Sequence, residues 1–166
     1  MPALEAGVRA PDISLDDLEG HKFSLREALK KGPVVAAFFK VSCPVCQFSF
    51  PYLEKLFKAH GKSDKATFVA VSQDRVTETK AFNKEFGITL PTVLDEPGKY
   101  LASNGYGLTN VPTIFLISTD GEIEISIVGW SRKDMETLNA RLAALSGSAP
   151  AQLFRSGENV PDFKPG

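Results

Sequence analysis

Cysteine is scarce in this chain: there are two, Cys43 and Cys46, with two residues between them. A bridge closing so short a loop removes little entropy from the unfolded chain, so a disulfide scaffold is excluded and the pair points to chemistry rather than stapling. An excess of charge of one sign is lacking too. Nineteen basic residues nearly cancel twenty acidic ones, for a net charge of -1, and no basic run exceeds Lys30-Lys31. That balance argues against a nucleic-acid partner, which would need basic side chains clustered on one face. No window reaches the roughly 18 apolar residues of a membrane span, and the opening MPALEAGVRAPD has no apolar stretch behind a basic end. Neither a membrane partner nor a signal peptide is expected, which makes cytoplasmic residence the expectation. The two histidines, His21 and His60, stand alone without the paired spacing of zinc ligands. No metal and no cofactor are expected.

What is present suits one α/β domain, since a chain of 166 residues buries roughly 70% of its unfolded surface and can hold itself together without covalent staples. The opening alternates short apolar and polar pieces around Gly20, which predicts a hairpin and then a helical turn from Ser24. VVAAFF, after Pro33, is an apolar run dense enough for a strand buried on both faces. From Cys46 to His60, Phe50, Leu53, Leu56 and Phe57 recur at helical spacing before Gly61. A strand over 67–72, a helix over 78–86, an extended piece over 91–94 and a helix over 98–106 follow. Strands over 113–117 and 123–128 flank the turn at Asp120-Gly121, and a helix over 134–145 carries Leu138, Leu142 and Leu145 on one stripe. Residues 1–145 are read as the domain. Residues 146–166 are rich in Gly, Pro and Ser and are read as a tail without regular structure, whose Leu153, Phe154 and Phe163 could pack on the body.

Cys43-Pro44-Val45-Cys46 falls where a buried strand turns into a helix. There Cys43 would meet the unpaired amides of a first helical turn, which favour the thiolate, the form that attacks disulfides. Pro44 suits a helix start because its missing N–H costs nothing there. Cys46, one turn on, would be more buried and placed to resolve a mixed disulfide on Cys43. Inert core thiols or half of a zinc site are the bland readings of the same two residues.

The chain resembles the thioredoxin superfamily, in the branch shared by TlpA- and ResA-like thiol–disulfide oxidoreductases and the AhpC/TSA redoxins. The resemblance covers about residues 5–145 and rests on GVRAPDISL, AFFKVSCPVC, FPYLEKL, FVAVSQD, LPTVLD and NVPTIFLISTDGEI. It implies a thioredoxin-like α/β fold: a central mixed β-sheet flanked by helices, an N-terminal β-hairpin extension and a central insert over about 67–94. It also implies Cys43 and Cys46 as the catalytic pair, and a cis bond before Pro112, with Val111, Pro112 and Pro44 contacting the substrate. Pro51 would match the family's helix-kinking proline, a structural residue. The implied partners are a disulfide-containing protein substrate and a thiol electron donor, and a monomer or weak dimer is expected.

Departures from the family pattern bear on mechanism. Where thioredoxins place a tryptophan and a buried aspartate stand Ser42 and Ala37, and where ResA-like proteins place a glutamate stands Ser49. Proton transfer at Cys46 would go through water, Ser49 or an acid brought in by the fold, and Lys40 would support the Cys43 thiolate. The alternative reading is a peroxiredoxin-like thiol peroxidase. With Cys43 as its peroxidatic cysteine, the proline and threonine positions of that family fall on Ala36 and Lys40, and its arginine position falls near Pro112. A non-catalytic thioredoxin-like binding module is the third reading. Trp130 is expected to pack at a strand end rather than flank a groove, and His60 to sit at a helix end.

Overall fold

The computed structural model describes residues 3–62 and 65–166. The run VVAAFF forms β3 (Val34–Phe39), with all six residues buried. It can be apolar on both faces because it is central in the sheet. On one side it pairs in parallel with β4 (Thr67–Ser72), from Val34↔Thr67 to Phe39↔Ser72; on the other it pairs antiparallel with β6 (Thr113–Ile117). With β5 (Thr92–Leu94) and β7 (Ile123–Val128) at the edges, the strand order is β5-β4-β3-β6-β7.

The two-residue period of β3 divides the core. Val35, Ala37 and Phe39 face one cluster, filled by Leu53 and Leu56 of α2 (Pro44–His60), Phe82 of α3 (Val76–Phe86) and Leu138 of α5 (Arg132–Ser146). Val34, Ala36 and Phe38 face the other, filled by Leu25 and Ala28 of α1 (Leu25–Leu29) and Ala102 of α4 (Leu101–Gly105), with Tyr106 just beyond. Helices therefore cover both faces. The N-terminal hairpin is present as β1 (Ser14–Asp16) and β2 (Lys22–Ser24), paired Ser14↔Ser24 through Asp16↔Lys22.

The central insert over 67–94 is woven into the sheet: β4 pairs along its whole length with β3, and β5 extends the same parallel ladder. Residues 68–72 of β4 are all buried, as a strand flanked on both sides requires. One expectation changes. The tail, read as lacking regular structure, carries a short strand, β9 (Phe163–Lys164), paired antiparallel with β8 (Trp130–Ser131). Leu153 and Val160 are buried in the main core, and Trp130 Nε1 donates to the Pro161 carbonyl at 2.8 Å. Of the three apolar residues expected to pack on the body, Leu153 and Phe154 do and Phe163 is exposed; lone apolar residues among Gly, Pro and Ser show no periodicity, so the short strand itself left no pattern to read. Trp130 is a packing residue, 1% exposed, with its ring edge-on to Phe48.

Candidate functional site

The site forms where the chain leaves β3. In a parallel pair both strands end on the same side of the sheet, so the residues after β3 and those after β4 meet there. Cys43 is the N-cap of α2: its backbone is extended (φ -83, ψ 116) and its Sγ accepts from the Cys46 amide at 3.3 Å. Pro44 occupies the first helical position, where the absent N–H removes no helical bond. The helix begins there, two residues before the apolar periodicity does, because the cap and the proline define the first turn. The Cys43 thiol donates to the Val111 carbonyl at 3.3 Å, and the Val111–Pro112 bond is cis. The structure thus brings Cys43, Cys46, Pro44, Val111 and Pro112 together.

The two cysteines have unlike surroundings. Both are free thiols, Cys43 half-buried and Cys46 fully buried. Burial pushes the Cys46 thiol far above its ordinary range, and the nearby Cys43 and Asp74 raise it further, while the Lys40 amide works the other way. Ser49 is buried beside this turn, but its hydroxyl donates to the Val45 carbonyl at 2.6 Å within the helix. Lys40 is exposed and meets the site through its backbone, its carbonyl accepting from the Cys43 amide at 3.1 Å.

Sequence reasoning missed several residues here. Asp74 Oδ2 accepts from the Val41 amide at 2.8 Å, and Gln47 Nε2 donates to the Val41 carbonyl at 2.9 Å, so both sides of the loop before Cys43 are held. Gln73 lines a pocket of about 250 Å³ with Cys43, Leu108, Asn110, Val111 and Gly166. The side-chain amide of Gln73 is anchored on Ser103 Oγ at 3.0 Å, and Ser103 in turn is held by the buried carboxylate of Asp95. The tail reaches the same pocket, where Asn110 Nδ2 donates to the Gly166 carbonyl at 3.0 Å. The pairing of parallel strands was the available signal for Gln73 and Asp74. A larger groove, about 720 Å³, lies among Arg9, Arg26 and Lys30 and includes neither cysteine.

The mixed five-stranded sheet, its helices on both faces, the hairpin and a cysteine pair capping a helix beside a cis-proline define a thioredoxin-like protein of the redoxin kind. The AhpC/TSA family profile matches residues 6–126, and the chain belongs to that family. It is similar to the thiol-disulfide oxidoreductase ResA of Geobacillus kaustophilus, 33% identical over 133 residues, a match spanning 80% of this chain and 74% of the relative. The thioredoxin-like protein YneN of Bacillus subtilis is 31% identical over 138 residues, spanning 80% of this chain and 78% of the relative. Among solved structures, the thioredoxin domain of a thiol-disulfide oxidoreductase from Bacteroides vulgatus superposes with a TM-score of 0.73 at 26% identity, covering 84% of this chain and 98% of that one.

Proposed function

We propose that this protein is a thiol–disulfide oxidoreductase that reduces protein disulfides with the Cys43–Cys46 pair. One observation carries the reading: an accessible cysteine caps α2 and contacts the backbone before Pro112, while its partner one turn inward is buried. In the proposed cycle the Cys43 thiolate attacks one sulfur of a partner disulfide, and the other sulfur leaves as a thiolate and takes up a proton. Cys46 then loses its proton and attacks Cys43 Sγ, which forms the intramolecular disulfide and releases the second partner thiol. Two electrons pass to the partner, and a thiol donor returns them. The pocket floored by Val111 and flanked by Gln73 would receive the partner's backbone next to the scissile sulfur. The names of the similar proteins support the same chemistry.

The test is insulin reduction with dithiothreitol as donor, comparing the wild type with Cys43→Ser. Loss of activity in the variant is expected, and a variant as active as the wild type would refute the proposal. An equilibrium redox titration assigns direction: a midpoint near about -270 mV fits a reductase, and one near about -120 mV an oxidase. Rapid consumption of hydrogen peroxide would instead favour the peroxidase reading, which lacks a side-chain apparatus here because Ala36 and Lys40 hold the positions in question.

A further inference from the structure

The chain that follows α5 is held in two parts of unequal strength. Leu153 and Val160 are buried in the main core, and the Pro161 carbonyl accepts from Trp130 Nε1 at 2.8 Å. Beyond that anchor the chain runs along the surface. The Asp162 carbonyl accepts from the Arg132 amide at 2.9 Å, β9 pairs Phe163↔Ser131 and Lys164↔Trp130, and Phe163 is 61% exposed. Pro165 then has no N–H with which to extend the ladder, and the backbone passes from Gly129 to Val111.

This segment lies against the loop that a partner protein would use. The Gly129 amide donates to the Pro112 carbonyl at 2.8 Å, which sets the end of β7 beside that loop. Gly129 has φ +74, and a Cβ there would fall 2.5 Å from the Lys164 carbonyl oxygen and 2.9 Å from the Gly166 nitrogen. A Cβ on Gly166 would fall 2.5 Å from the Val111 carbonyl oxygen, the atom that accepts the Cys43 thiol at 3.3 Å. Two glycines therefore let the backbone of this segment close on the pocket of Cys43. The side-chain amide of Asn110 holds it there, donating to the Gly166 carbonyl at 3.0 Å. A polypeptide adding as a strand beside Val111 needs the same space. The pocket of about 250 Å³ left among Cys43, Gln73, Val111 and Gly166 has room for one arm of a small disulfide.

We propose that residues 163–166 form a strap that sets substrate choice: small disulfides reach Cys43 past it, and a polypeptide disulfide must displace it to lie beside Val111. The proposal rests on the oxidoreductase reading above. The strap can lift while the rest of the tail stays docked, because Leu153, Val160 and the bond from Trp130 to Pro161 all lie upstream of it. Phe163 is already exposed, so lifting it forfeits little buried apolar area. The Lys164 ammonium, 5.2 Å from the centre of the Phe48 ring, exchanges that aromatic face for water. A ladder so short opens at the low end of the local-unfolding scale. A strap closed about nine-tenths of the time would weaken apparent polypeptide affinity about tenfold and leave a small disulfide unaffected.

Two variants test the strap: a chain stopped after Asp162, and Lys164→Pro, which keeps the full length and cannot complete the ladder opposite Trp130. Both retain Leu153, Val160 and Pro161. For each protein, kcat/KM for insulin with dithiothreitol as donor is divided by the rate constant of the reduced protein with 2,2′-dithiodipyridine, so that a general change in thiol reactivity cancels. The ratio should rise about tenfold in both variants, through KM for insulin. A second measurement uses Cys46→Ser trapped as a mixed disulfide with a cysteine-containing peptide. There the amide NMR signals of Lys164 and Gly166 should move to the positions of an unpaired chain, and with thiopyridine on Cys43 they should keep their native positions. A ratio unchanged or lowered in either variant, or strap signals that stay native under the trapped peptide, would overturn the strap and leave the oxidoreductase reading intact. Insulin reduction absent from the wild type and both variants would overturn that reading, and this one with it.

Discussion

Leu153 tests whether the tail is part of the folded body. It lies in sequence among Gly, Pro and Ser, yet it is 3% exposed within the core cluster that contains Leu53, Leu138 and Trp130. Leu153→Ala removes buried methyl groups and leaves a cavity in the core cluster that holds Trp130 and against which Tyr52 and Phe154 pack. Such truncations cost 2–5 kcal/mol, and about 3 kcal/mol is expected at so enclosed a site. With a urea slope of about 2 kcal/mol/M, the unfolding midpoint should fall by about 1.5 M. Trp130 is the single tryptophan and hydrogen-bonds the tail, so its fluorescence reports docking directly. Urea titrations followed by that fluorescence and by far-ultraviolet circular dichroism should coincide in the wild type. A midpoint shift under about 0.3 M, or fluorescence that changes well before the circular dichroism, would refute the claim that the tail unfolds with the body.

Two further outcomes follow from the environments of single groups. Iodoacetamide at neutral pH should label native Cys43 alone, with Cys46 reacting only after denaturation, because burial both hides the inner thiol and raises its pKa. Intact-mass analysis and peptide mapping check this, and equal labelling would contradict it. Tyr52 donates a hydrogen bond to Glu158, which with the Arg155 amide lowers that carboxyl from its ordinary 4.5 to about 2. A carboxyl lowered on folding contributes stability above its unfolded pKa and loses it as pH falls from there through the folded value. Tyr52→Phe should therefore move the Glu158 titration back toward 4.5 and raise the pH of acid unfolding; carboxyl carbon NMR that still reports a value near 2 would refute the link.

The elements with strong periodicity were legible. The strands over 113–117 and 123–128 match β6 and β7, because their apolar runs flank an Asp-Gly turn whose geometry leaves little choice. Helix starts were harder. The apolar stripe of α5 predicts a start at 134, but the helix begins at Arg132, since Ser131 caps it by accepting from the Asp134 amide at 3.1 Å. For α4 the prediction of 98–106 shrinks to Leu101–Gly105, where the buried carboxylate of Asp95, seven and eight residues upstream of the Ala102 and Ser103 amides it binds, sets the first turn. A cap supplied from another loop leaves no mark at the helix it caps.

The candidate site divides along the same line. Cys43, Pro44, Cys46, Val111 and Pro112 were legible because they lie in short segments whose residue types advertise their role: a cap, a helix start, a bond before proline. Asp74 reaches the site from another strand. Nothing in the order Ser72-Gln73-Asp74 distinguishes it from a polar residue ending a strand, and its place at the Val41 amide exists only once β4 lies parallel to β3 with Ser72 opposite Phe39. That register carries Gln73 to the Phe39 carbonyl at 3.0 Å and Asp74 to the next free amide of the loop, at Val41. A residue slip in this pairing would point Asp74 to the opposite face of the sheet. Because VVAAFF is apolar on both faces, its pattern alone tolerates either register, and the polar end of the ladder holds the observed one: the Gln73 amide on the Phe39 carbonyl at 3.0 Å and the Asp74 carboxylate on the Val41 amide at 2.8 Å.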